Sequence, residues 1–147
     1  GGGGGGGVVG LLRLDSTDDG GLHIRGEVTG LSQNGLHGFH IHQYGDVSDG
    51  GCKSTGGHYN PTGATHGGPE DTVRHVGDLG NIKSDGDGKA VVDIIDNVAT
   101  LSAVLGRAIV VHRDEDDLGR TDHPQSKTTG NAGPRLACCV IGITAEK

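Results

Sequence analysis

Aromatic side chains are nearly missing from this chain: Phe39, Tyr44 and Tyr59 are all there are among 147 residues. Any core must therefore be assembled from Val, Ile, Leu and Ala. An excess of cations is missing too. The formal charge is −7 with His neutral. That balance argues against a nucleic-acid partner and against an anionic membrane surface. No run approaches about eighteen apolar residues, so nothing reads as a membrane span. No amphipathic helical stretch of useful length is present either, and this excludes a helical bundle.

Glycine, by contrast, is plentiful, with 31 residues spread through loops rather than in a collagen-like period. Gly1 to Gly7 form an unbroken run that encodes no element and no targeting signal, and it is excluded from fold reasoning. No signal peptide is visible. The length suits a single domain over residues 1–147 with a sizeable core.

Short apolar runs alternate with turns rich in Gly, Asp, Asn and Ser. Strands are predicted at 8–14, 22–31, 36–42, 89–95, 107–112 and 137–143. Leu22, Ile24 and Val28 fall on one parity, as a half-buried strand requires. Turn signals stand at Asp18-Asp19-Gly20-Gly21, Gln33-Asn34-Gly35 and Ser84-Asp85-Gly86-Asp87-Gly88. The pattern predicts an all-β sandwich or barrel. Two segments, 43–83 and 113–135, are too long for hairpin loops, and loops of that length are usually functional.

Nine histidines occur, and six of them form the set His40, His42, His58, His66, His75 and His112. With Asp78 they are too many for one metal ion and about right for two. His40 and His42 are two apart on a predicted strand, so both emerge on one face. At about 3.3 Å per residue their Cα atoms lie roughly 7 Å apart, close enough for two imidazoles to meet one ion. Ile41 and Phe39 then point into the core. His112 ends another strand and can add a third nitrogen. A donor set of histidines alone suits copper. His66, His75 and Asp78 lie on the first long loop, and with His58 they make a closed tetrahedral zinc set. Both sets lack a ligand without His58, and an imidazole can bridge two cations through its two ring nitrogens. His23, His37 and His123 are assigned no metal. His23 has no partner on its strand, His37 has the wrong parity and is expected to hydrogen-bond locally, and His123 sits in an exposed polar loop.

Four blocks carry a resemblance. They are Gly38-Phe39-His40-Ile41-His42-Gln43-Tyr44-Gly45-Asp46, Gly57-His58-Tyr59-Asn60-Pro61, Arg74-His75-Val76-Gly77-Asp78-Leu79-Gly80-Asn81 and Gly130-Asn131-Ala132-Gly133-Pro134-Arg135-Leu136-Ala137-Cys138. Together they closely resemble copper/zinc superoxide dismutases. The resemblance implies an eight-stranded Greek-key β-barrel, usually a homodimer. It implies disproportionation of superoxide to dioxygen and hydrogen peroxide, with copper cycling between Cu(II) and Cu(I). It assigns copper to His40, His42, His58 and His112, and zinc to His58, His66, His75 and Asp78. Asp116 is implied as a carboxylate joining a copper histidine to a zinc histidine. Arg135 is implied as the cation that docks the anion, with Thr129 at the channel mouth and the bridging His58 accepting a proton when copper is reduced. A local field from the metals and Arg135 would outweigh the distant surface charge.

The same resemblance pairs Cys52 with Cys138. That bridge would close a loop of about 87 residues, worth roughly 4–5 kcal/mol in the chain-entropy model. Adjacent strand residues face opposite sides, so only one of Cys138 and Cys139 can reach Cys52, and Cys139 reads as a small buried apolar residue.

Departures from the family pattern are local. The glycine run obscures the usual opening strand, and one extra residue lies between His42 and Cys52, near Gly50-Gly51. Pro124-Gln125 occupy positions that are usually acidic, and Lys127 comes one place early, so steering of the substrate is expected to be altered. The competing reading is a non-catalytic copper/zinc binding or storage protein on the same fold, which would need no Arg135. A copper-delivery factor would call for an extra Cys-rich motif, and none is present. Some segments look like secreted animal members and the rest fits cytosolic ones. The resemblance leaves both compartments open, with a slight lean to extracellular.

Overall fold

The computed structural model describes residues 7–145. Period-two alternation builds its strands. In β1 (Val9–Ser16), β2 (Leu22–Thr29) and β5 (Ala90–Asp96), inward side chains such as Leu22, Ile24, Ala90 and Val92 alternate with outward ones, which are polar on β2 but include exposed Val9, Leu11, Val91 and Ile95 on β1 and β5. These strands form one antiparallel sheet, in the order β1-β2-β5. The second antiparallel sheet runs β4-β3-β6-β7 and contains β3 (Leu36–His42), β4 (Asp78–Lys83), β6 (Ala108–His112) and β7 (Arg135–Val140). The chain leaves β3 for β4, crosses to β5 in the other sheet, and returns to lay β6 beside β3. The only α-helix among the described residues is one turn, α1 (Leu101–Val104), capped by the Thr100 side chain.

All six predicted strands are present, β3 with both ends as expected and the others with ends moved by up to three residues: β2 stops at Thr29 and β7 runs from Arg135 to Val140. One strand, β4, was not expected. It shortens the first long loop to residues 43–77. Seven strands lie among the described residues. The expected opening strand falls largely on residues 1–6, outside them.

The two sheets close on Leu22, Ile24, Val28, Phe39, Ile41, Leu79, Ile82, Val92, Val104, Ile109 and Val111. At about 25 cal/mol per Å² of apolar surface removed from water, these aliphatic chains are the main stabilising term. β6 is buried on both faces. Its outer residue Val110 packs with Cys52 and Cys138, which are bridged with their Cα atoms 5.7 Å apart. Adjacent Cys139 points the other way and is half-buried rather than buried, because its face of β7 is only partly covered.

The first long loop has little core of its own and is fastened by polar contacts. Gln43 N donates to Gly57 O, Tyr44 N to Thr55 O, and Tyr59 N to Ile41 O, laying the loop along β3. Buried Arg74 donates to Asp96 at 2.7 Å and to the carbonyls of Pro69, His75 and Val76. One guanidinium thus ties the loop around His75 to the end of β5.

Candidate metal centre

β3 has two different faces. Phe39 and Ile41 enter the core, while His40 and His42 point the other way and are buried beneath the loops. β6 pairs with β3 through Phe39↔Val111 and Ile41↔Ile109, and this register brings His112 to the same face. A bridge between His42 and His58 adds the fourth ring from the first loop.

Each ring has one nitrogen tied down. His42 Nδ1 donates to Gly56 O at 2.8 Å, His112 Nδ1 to Gly133 O at 2.9 Å, and His40 Nε2 to Asp116 Oδ2 at 2.6 Å. Protons on those nitrogens leave lone pairs on the others. The free atoms converge: His42 Nε2 and His112 Nε2 are 3.4 Å apart, and the His40 and His58 ring centroids are 4.0 Å apart. His40 Nδ1 and His58 Nε2 are buried without a hydrogen-bond partner. A buried lone pair with nothing to accept is costly, and a cation among four of them removes that cost.

The second cluster is tighter. His58 Nδ1 is 3.1 Å from His75 Nδ1 and 2.9 Å from Asp78 Oδ1. Asp78 Oδ1 is also 2.9 Å from His66 Nδ1 and 3.2 Å from His75 Nδ1. His66 Nδ1 is buried without a hydrogen-bond partner despite this closeness. Ligands about 2.0–2.1 Å from a tetrahedral zinc ion stand roughly 3.3 Å from one another. The spacings fit a cage of ligands around one ion better than a set of hydrogen bonds.

Within each group, His40/His42/His58/His112 and His58/His66/His75/Asp78, the donor atoms lie within 4.8 Å of one another. His58 belongs to both, offering Nδ1 to one and Nε2 to the other.

Asp116 joins the two groups from behind. Its carboxylate accepts from His40 at 2.6 Å, from His66 at 2.7 Å and from Leu118 N at 2.8 Å. Asn81 on β4 grips its backbone on both sides, accepting from Asp116 N and donating to Asp116 O. Gly130, in left-handed backbone at φ 73°, lies against the pair, and a Cβ there would come 2.6 Å from His66 Nε2 and closer still to Asp116.

Electrostatics divide the two groups. Burial, then the neighbouring His58, pushes His40 down to about 3 against the pull of Asp116. Burial likewise pushes His112 down to about 4 and His42 well below its usual range, with Arg135 contributing to both. His58 is lowered by burial as well. His66 goes the other way. Burial opposes its charge, but Asp116 and Asp78 outweigh burial and raise it to about 9. Burial would raise both carboxyls, yet their histidine partners hold Asp78 and Asp116 below the usual carboxylate range.

Arg135 is the register partner of His112 across β6 and β7. Its Nη1 donates to Cys52 O at 2.9 Å, Thr55 Oγ1 at 3.2 Å and Lys53 O at 3.3 Å. Thr129 is exposed on the second loop, where its backbone N and its hydroxyl both donate to Gln125 O.

The other histidines stay apart from both groups. His37 is buried and accepts from nearby Ser32, the local bonding expected of it, but also donates to His112 O, 75 residues away. His123 is exposed. His23 does have a partner: Asp93, diagonal to it on neighbouring β5, at 2.6 Å. Sequence reasoning missed that pair because its members are 70 residues apart. It also gave no role to Asn81, Arg74, Thr55 or the carbonyls of Gly56 and Gly133. Only Asn81 and Arg74 carried any signal, by standing inside the blocks around the ligands.

Two strands bearing three buried donor rings, joined through the shared ring of His58 to a cage completed by His66, His75 and Asp78, define a two-metal β-sandwich protein. The chain belongs to the copper/zinc superoxide dismutase family, whose model matches residues 8–141. It is 52% identical over 142 residues to Superoxide dismutase [Cu-Zn] 2 of Mesembryanthemum crystallinum, a match covering 95% of this chain and 90% of that relative. The family's metals are copper and zinc, and the donor sets described here are compatible with both.

Proposed function

We propose that this chain disproportionates superoxide, with copper held by His40, His42, His58 and His112 and zinc by His58, His66, His75 and Asp78. The observation that carries this reading is the ring of His58, whose two nitrogens face the two donor groups. When bound, copper supplies a one-electron couple between Cu(II) and Cu(I), and zinc supplies fixed charge. Two superoxide ions and two protons yield one dioxygen and one hydrogen peroxide.

The protein's own groups do the rest. Arg135, half-buried beside His112, docks and polarises the anion with a charge that burial makes harder to keep but stronger in effect. His58 Nε2 can hold a proton destined for peroxide. Carbonyls of Gly56 and Gly133 and the Asp116 carboxylate fix ring tautomers, so the donors need no rearrangement between cycles. Thr129 lines the mouth of the channel.

A homodimer is part of this reading. Exposed Tyr44, Leu105 and Val140 lie close together, since Gly106 N donates to Ile141 O and Gly45 packs against Val140. Such a patch is what a self-association surface needs. Sedimentation at micromolar concentration should give twice the chain mass, and a monomer would refute it. Among the described residues no helix is long and apolar enough to cross a membrane. For compartment we lean to the extracellular side, and fractionation of the source tissue decides it.

Superoxide consumption by the copper- and zinc-loaded protein, with chelator-treated protein as control, tests the activity. Metal uptake without turnover would leave a storage protein instead.

A further inference from the structure

We propose that Thr55 is a positioning residue for Arg135, its buried hydroxyl being one of the acceptors that hold the guanidinium beside the copper-side histidines. This rests on the docking role given to Arg135 above.

Thr55 ends a 3-10 turn, Lys53–Thr55, and is fully buried. Its hydroxyl donates to Cys52 O at 2.6 Å. With the proton committed there, the lone pairs are left for Arg135 Nη1 at 3.2 Å. That nitrogen carries two protons and has three acceptors in reach, all on one turn: Cys52 O, Lys53 O and Thr55 Oγ1. The next residue, Gly56, accepts from His42 Nδ1. Thr55 Oγ1 itself lies 3.5 Å from that nitrogen. One short turn therefore aims both a copper-side imidazole and the docking cation. A hydroxyl that only capped its own turn would need the bond to Cys52 and nothing more. The contact with Arg135 is the additional observation.

Hydrogen bonds to charged groups are individually strong, but here two protons are shared among three acceptors, so losing one acceptor is partly offset. A loss of roughly three- to tenfold in anion affinity follows, less than for a sole acceptor. The test uses azide as an anionic probe of the copper- and zinc-loaded protein, read by absorbance, beside the second-order rate with superoxide. Thr55→Val should weaken azide binding and slow the rate together by that factor at unchanged metal content. Thr55→Ser should recover both to within about twofold. In an Arg135→Ala background, Thr55→Val should add nothing.

Wild-type azide affinity in Thr55→Val, a Ser variant as weak as Val, or an additive effect without Arg135 would each overturn the proposal. If Arg135→Ala itself leaves azide binding unchanged, the docking role fails first. If it weakens binding while Thr55→Val does not, only the role of Thr55 fails. A readout independent of variants is the guanidinium resonance of Arg135 in the unsubstituted, metal-free protein. Restricted rotation about its Nε–Cζ bond is expected, and free rotation would overturn the anchoring.

Discussion

Replacing Asp116 by Ala should separate the two metals. The carboxylate is 1% exposed and accepts three bonds of 2.6 to 2.8 Å, from His40, His66 and Leu118. Partners of this kind, behind a ligand, are worth about ten- to a hundredfold in metal affinity. The loss should fall unevenly. His40 stands on β3, paired to β4 on one side and β6 on the other, so its ring is placed by the sheet even without Asp116. His66 stands on a loop, where its backbone N donates to Lys127 O and its ring leans on Asp116 and Asp78. Zinc affinity is therefore expected to drop by about ten- to a hundredfold and copper affinity by less than about tenfold. Competition against chelators of known strength, with both metals counted by mass spectrometry, measures the two constants separately. In the metal-free variant, His66 should also titrate well below its raised value of about 9, because one of the two carboxylates holding it up is gone. Unchanged zinc affinity, or preferential loss of copper, would refute the division of labour between sheet and loop.

Three further outcomes are expected. Arg135→Ala should retain both metals and slow the encounter with superoxide by about tenfold or more, seen as a lower second-order rate with a weaker salt dependence; unchanged activity would count against docking. Removing the Cys52–Cys138 bridge by Cys52→Ser should lower stability by about 4–5 kcal/mol in the chain-entropy model, a calorimetric shift of roughly 10–20 °C, and a shift of only a degree or two would contradict that. Metal-free protein should lose stability as pH falls below 6.5, the ordinary histidine value, because His40 and His112, lowered to about 3 and 4, take up protons only on unfolding. At pH 4.5 each contributes about 2–3 kcal/mol of destabilisation. His66 has the opposite sign: its contribution is complete below 6.5 and fades as pH rises through about 9. Urea midpoints of the metal-free protein should therefore peak near neutrality and fall on both sides, and a midpoint still rising at pH 5 would be inconsistent with these shifts.

The ligands were readable because His and Asp have few bland reasons to recur at strand ends and on one long loop. β4 was not, because the work it does removes the apolar pattern that marks a strand. Asp78 faces the zinc-side cage, Gly80 has φ 83°, and Asn81 grips Asp116, leaving only Leu79 and Ile82 to pack inward. Cross-strand partners are hidden for another reason. Pairing His23 with Asp93 requires the β2–β5 register, and no short window contains it. Anchors made of backbone carbonyl, at Gly56 and Gly133, have no side-chain signature at all. The role of Asp116 was legible only through the family resemblance. By composition it is one more charge on a polar loop.

The sharing of one deprotonated ring between two cations is tested most directly by loading copper(II) at both positions and recording the electron paramagnetic resonance spectrum. An imidazolate bridge at His58 couples the two spins antiferromagnetically, so the ordinary copper signal should be largely lost on cooling and return in His58→Ala. Two independent, full-intensity copper signals in the unsubstituted protein would contradict it.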